Sequence, residues 1–196
     1  FLAARAEPIA IPERFDRVEV ELGCADAQFS FDLAARHPDW FVVGLEIREV
    51  MVELARERCE QLATQNLAFG YVNLNVDLDR VFEPGSVDRF HLLFPDPWFK
   101  QRHRKRRVVE PGLLEVIAAQ LVEGGELHFA SDVFELALEA MAELEEPEAA
   151  ALGFENLVGA WSFCRTNPCD AASRREDKTL ERGQRVWRMR YRKRVR

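Results

Sequence analysis

Arg17-Val18-Glu19-Val20-Glu21-Leu22-Gly23-Cys24-Ala25-Asp26-Ala27 opens the unit that decides the architecture, and QFSFDLAARHPDWFVVGLE, Gln28 to Glu46, completes it. Arg17–Leu22 alternates as a strand does and stops at Gly23. Ala27–Arg36 has helical spacing, with Phe31, Leu33 and Ala34 apolar, and His37-Pro38 closes it. Trp40–Leu45 is a buried-type strand ending at Glu46. A strand, helix and strand this closely spaced imply a parallel pair joined by a right-handed crossover.

The same rhythm continues outward. Val50–Leu62 is an amphipathic helix, Leu67–Val72 a third strand, and Val87–Phe94 a fourth with a nearly continuous apolar run. Leu113–Leu121 is helical and stops at Gly124-Gly125; Glu126–Ala130 makes a fifth strand and Phe134–Leu144 a helix. After Pro147 the pattern changes to two further strands, Phe154–Phe163 and Val186–Tyr191, expected as an antiparallel pair at one edge, with Arg165–Lys178 a loop. The expected fold is α/β: a doubly wound, mostly parallel seven-stranded sheet with an antiparallel C-terminal edge. No linker or repeat divides it, so one domain is expected over 1–196, with 1–16 as an N-terminal extension.

No apolar run approaches the roughly 18–20 residues of a membrane-spanning helix. The chain begins at Phe1 without a signal-peptide pattern, and a leading segment is expected to precede it. Cys24, Cys59, Cys164 and Cys169 lack zinc or redox spacing, which implies free thiols in a reducing cytoplasm, no metal, and only Cys164–Cys169 as a disulfide candidate. Net charge is −7, but its distribution is uneven. Residues 100–107 carry six Lys/Arg and no acid; residues 174–196 carry a net +8, leaving −21 elsewhere. Two cationic islands on an acidic body would grip polyphosphate locally, although a single such run reads better as a solvated face or a frayed tail.

In such sheets ligands bind beyond the carboxyl ends of the strands. Glu21 with Gly23, Glu46, Asn73, Asp96 and Asp132 stand at five successive strand ends. Asp96 is held between Pro95 and Pro97, in an extended conformation directly before the first island. Glu46 sits where dinucleotide folds bind ribose, yet the first turn has one glycine, and Asp26 would repel a pyrophosphate. A phosphate-free nucleoside cofactor with cationic groups, such as S-adenosylmethionine, suits those acids better.

Phe94–Trp98 (FPDPW), Lys100, the basic block Arg102–Arg107 and the GLEI of Gly44–Ile47 resemble the bacterial tRNA (guanine-N7-)-methyltransferase family, over about Val18 to Tyr191. The resemblance implies a class I methyltransferase fold of Rossmann-like type. It also implies S-adenosylmethionine as cofactor, tRNA as partner and methylation of a variable-loop guanine in the cytoplasm. It puts Glu21, Gly23, Glu46, Asn73 and Asp96 at the cofactor, with Asp96 catalytic, and Lys100, Asp132, Ser173 and Glu176 at the substrate. Ser173-Arg174-Arg175-Glu176, then Gly183 and Trp187, fits the family's Thr-x-x-Glu motif with serine for threonine. Ala25 and Ala27 replace family glycines, and Asn73 stands where an aspartate is common. Another RNA or protein substrate, or an RNA-binding module with a degenerate cofactor turn, remain alternatives. Trp98 reads either as a base-stacking or a core-capping aromatic. His91 and His128 read as core histidines.

Overall fold

The computed structural model describes residues 6–96 and 109–195. Strands β1 (Arg17–Leu22), β2 (Trp40–Glu46), β3 (Leu67–Tyr71), β4 (Val87–Leu93) and β5 (Leu121–Ser131) pair in parallel. β7 (Trp187–Lys193) runs antiparallel to both β5 and β6 (Phe154–Asn156). The order of this seven-stranded sheet is β3-β2-β1-β4-β5-β7-β6. Helices are α1 (Gln28–Arg36), α2 (Glu49–Gln61), α3 (Leu74–Asp77), α4 (Pro111–Gln120), α5 (Phe134–Glu145) and α6 (Arg174–Glu181). Strand order reverses between β1 and β4, and that is where such sheets open a crevice.

Alternation sorts the side chains onto two faces. Val18, Val20, Leu22, Phe90, Leu92, Leu127, Met189 and Tyr191 join α4 and α5 in the larger core. On the opposite face, α1 and α2 bury Val42 and Phe69 of β2 and β3. The other half of that face is polar. Glu19, Arg89, Glu126 and Arg192 form one row across β1, β4, β5 and β7, and Glu21, His91, His128 and Arg190 the next. Arg89 bridges Glu19 at 3.2 Å and Glu126 at 3.0 Å. β4 is therefore half charged, not the nearly continuous apolar run its sequence suggested. Buried charges of this kind persist only when every partner is in place.

Three local expectations change. Arg165–Lys178 is not all loop, because α6 starts at Arg174; its buried residues are Glu176 and Thr179, so it has no apolar stripe to detect. Only Phe154–Asn156 of the expected sixth strand is strand, since Gly159 and Trp161 take positive φ and turn the chain away. Gly124-Gly125 does not stop a helix but lies inside β5, where the register with β4 jumps between Val87 and Arg89. All four cysteines are free thiols, so the Cys164–Cys169 pairing is absent.

Candidate active site

The turn from β1 to α1 builds the first wall. Gly23 and Cys24 donate their N–H groups to the Leu45 carbonyl at 2.8 and 2.9 Å, tying the turn to the end of β2. Gly23 has φ 79°, and Ala25 and Ala27 follow with φ 50° and 58°. The alanines thus adopt the left-handed backbone that glycine takes freely, at a cost of about 1 kcal/mol each. That backbone aims the Ala25 N–H at Glu46 Oε2, 2.9 Å away.

Glu46 also accepts from the N–H groups of Ile47 and Arg48, both at 3.0 Å, and from the Arg48 guanidinium at 3.0 and 3.2 Å. Burial opposes its charge, but these donors hold its carboxyl below the usual range. Glu21 lies deeper and behaves oppositely. Burial, with Asp26 and Glu46 nearby, pushes its carboxyl up to about 8 against the opposing Ser30 hydroxyl hydrogen bond. Two acids beside one turn are thus held in opposite protonation states at neutral pH.

Beyond β4, Phe94 turns the chain with φ 51° while its N–H donates to the Ala130 carbonyl at 2.7 Å. The strand therefore ends at Leu93, two residues before Pro95. Asp96 follows, exposed, and its charge reaches Arg48. Asn73 caps α3 through its carbonyl, which accepts from Val76 and Asp77 at 2.9 and 2.8 Å. Lys100, Trp98 and the block 102–107 lie outside the described residues.

Helix α6 forms the opposite wall. Ser173 is its N-cap, accepting from the Glu176 N–H at 3.2 Å. Arg174 reaches Asp26 at 2.9 Å, and Arg175 holds Asp132 at 3.0 Å, with its guanidinium 6.0 Å from the Phe94 ring centre. Glu176 is buried against Arg188 of β7, with Nε 2.9 Å from Oε1. Glu46, Asp96, Asp132, Ser173 and Glu176, with the buried Glu21, therefore lie along one edge of the sheet, where Arg48 pairs with Glu46, Arg174 with Asp26 and Arg175 with Asp132.

Sequence reading missed those arginines. Much of the C-terminal cationic island also turns inward: Arg190 and Arg192 pair with Glu126 at 2.8 and 3.3 Å, and Lys193 donates to the Leu121 carbonyl at 2.7 Å. The alternation of Arg188, Arg190 and Arg192 with apolar residues was the available signal, since in a covered strand both faces need partners.

Residues 16–189 match a family described as putative methyltransferase. The chain is 37% identical over 156 residues to the tRNA (guanine-N(7)-)-methyltransferase of Synechococcus sp. (strain JA-2-3B'a(2-13)), covering 75% of this chain and 65% of that protein. It is 34% identical over 194 residues to that of Prochlorococcus marinus (strain NATL2A), covering 94% and 89%. The chain belongs to the tRNA (guanine-N7-)-methyltransferase family. The FPDPW block and the GLEI strand end carried the resemblance to the tRNA (guanine-N7-)-methyltransferases, and relatives spanning most of the chain confirm it. Among solved structures, the 16S rRNA methyltransferase KamB superposes with a TM-score of 0.64 at 17% identity, over 93% of this chain and 90% of that one. The fold is therefore the class I methyltransferase fold. No helix among the described residues is long and apolar enough to cross a membrane.

Proposed function

We propose that this chain transfers a methyl group from S-adenosylmethionine to N7 of a guanine in tRNA. The observation that carries the reading is the line of acids along the carboxyl edge at the strand-order reversal, with Glu21 and Glu46 both buried there. The donor set suits such a cofactor. Glu21, Gly23, Glu46 and Asn73 offer carboxyl, amide and main-chain groups for a ribose and an amine, and Asp26 disfavours a pyrophosphate. The left-handed path through Ala25 and Ala27 keeps a glycine-like turn, which argues against a degenerate cofactor site.

Bound there, S-adenosylmethionine supplies an electrophilic methyl group on a sulfonium. Guanine N7 has a lone pair and no proton, so no residue need act as base before attack. The residues' task is placement: N7 in line with the methyl–sulfur bond, roughly 3–3.5 Å from the carbon, with water excluded. Asp96 is assigned the catalytic position, where its carboxylate stabilises the positive charge that develops on the guanine ring. Asp132 and Glu176 accept from guanine N1–H and the exocyclic amine, donors that adenine does not present together, with Ser173 assisting. Lys100 is assigned to a phosphate or a base acceptor.

Incubating the chain with labelled cofactor and unmodified tRNA, followed by borohydride–aniline cleavage, tests the reading. The expected result is cleavage at a single guanine, lost in Asp96→Ala. Absence of activity together with no calorimetric heat for S-adenosylhomocysteine overturns it. Labelling of another RNA or of protein but not tRNA also overturns the substrate assignment.

A further inference from the structure

Beneath this edge, on the polar half of the sheet, lies a group the methyl-transfer reading does not use. His91 of β4 and His128 of β5 are register partners, their rings edge-on with centroids 5.1 Å apart. Each turns Nε2 to a carboxylate: His91 to Glu19 at 2.7 Å and His128 to Glu126 at 3.3 Å. Both carboxylates are also gripped by arginines, Arg17 and Arg89 on Glu19 and Arg89 and Arg190 on Glu126, so both act as acceptors. That assigns the ring proton to Nε2 in each histidine and leaves each Nδ1 with a bare lone pair.

The two lone pairs converge on one sulfur. Cys169 Sγ lies 3.1 Å from His128 Nδ1 and 3.8 Å from His91 Nδ1. One thiol has one proton and cannot satisfy two buried acceptors. Both rings are almost wholly buried, at 0% and 2% exposure, so bulk solvent does not reach the two lone pairs.

We propose that His91, His128 and Cys169 form a binding site for a borderline-soft divalent cation, with zinc as the type. The ligand atoms lie within 4.8 Å of one another. Zinc bonds of about 2.3 Å to sulfur and 2.0–2.1 Å to nitrogen, at a tetrahedral angle, put sulfur and nitrogen roughly 3.5–3.6 Å apart. The two observed sulfur–nitrogen separations bracket that value, while the two nitrogens, within 4.8 Å of each other, close to roughly 3.4 Å when both bond one zinc, a small turn of the rings. Glu19 and Glu126 already stand where zinc-ligating histidines place their orienting carboxylates. A cavity of about 10 Å³ bordered by His128, Cys169, Asn167 and Glu176 has room for about one water, which would complete the coordination. On binding, the Sγ–H bond breaks, the sulfur–metal bond forms and the proton leaves to solvent. The ion would pin the segment around Cys169, and so the approach to Ser173 and α6, onto the sheet. This inference does not depend on methyl transfer.

The test is a titration of chelator-treated full chain with cobalt(II), zinc's spectroscopic stand-in. One cobalt per chain is expected, with a near-ultraviolet thiolate-to-cobalt band and the visible bands of a tetrahedral site. Cys169→Ser should lose the thiolate band, and Cys164→Ser should keep it. In chelator, Cys169→Ser and the parent should melt together, while added zinc raises the parent's Tm alone. A parent without the thiolate band, or a Cys169→Ser chain with an undiminished one, overturns the proposal.

Discussion

Arg48 closes over the Glu46 carboxylate, its Nε 3.0 Å from Oε1 and its Nη2 3.2 Å from Oε2. With three main-chain N–H groups also on that carboxylate, its lone-pair sites are filled. A ribose can bind there only if Arg48 swings aside. Because Arg48 is 58% exposed, breaking the pair is cheap, on the order of 0–1 kcal/mol. Arg48→Ala should therefore tighten S-adenosylhomocysteine binding, by no more than about fivefold. Calorimetry showing a tenfold loss would mean that Arg48 binds the cofactor instead of competing with it.

The turn carries backbone strain at Ala25 and Ala27. Replacing Ala25 with glycine removes the left-handed penalty, and only part of that gain returns as extra freedom in the unfolded chain. Ala25→Gly should stabilise the protein by about 0.5–1 kcal/mol in denaturant titrations. Ala27 is fully buried, so Ala27→Gly also loses a packed methyl group and should gain less. A clear loss of stability in Ala25→Gly would contradict the strained geometry.

The carboxyl of Glu21 stands at about 8 in the folded chain, raised from 4.5 chiefly by burial. Between those values the folded protein holds a proton that the unfolded chain has released. This contribution to stability is whole below pH 4.5 and declines as pH rises toward 8. Glu21→Gln should flatten the decline. Denaturation midpoints measured across that window test it, and parallel profiles for parent and variant would refute the assignment.

Glu176 and Arg188 are 4% and 9% exposed at their side chains, a buried pair with little water to replace a lost partner. Glu176→Ala strands the guanidinium and should cost about 3–5 kcal/mol. Glu176→Ala with Arg188→Met should recover most of it. The double variant then separates scaffold from recognition: it should fold normally yet methylate poorly. A single variant as stable as the parent would show that the pair contributes nothing.

The parallel core was readable because Val18, Val20, Leu22 and the run Trp40–Leu45 repeat at the periods that burial imposes. The strand-end acids were readable for a related reason: Glu46, Asp96 and Asp132 each break an apolar stretch at its carboxyl end. Helix α6 was not, because its inward residues are a glutamate and a threonine, and Ser173-x-x-Glu176 was the available trace of its start. Charge counting also misled. Arg188, Arg190 and Arg192 look like a phosphate-binding stripe until the fold shows Glu176 on the first and Glu126 on the other two. His91, His128 and Cys169 are scattered over 79 positions and meet only through strand pairing and one returning loop, so the expectation of no metal followed from spacing alone.

Arg89 serves two acids on different strands at once, Glu19 and Glu126. A change at position 89 alone removes the cation between the two acids and leaves Glu19 to Arg17 and Glu126 to Arg190 and Arg192, and a change at either acid leaves Arg89 half-matched. Drift at these three positions must therefore be concerted, and related chains should inherit the trio as a block or abandon it as one. Across diverging lineages, the signature to look for is joint replacement by neutral side chains, with few sequences caught between.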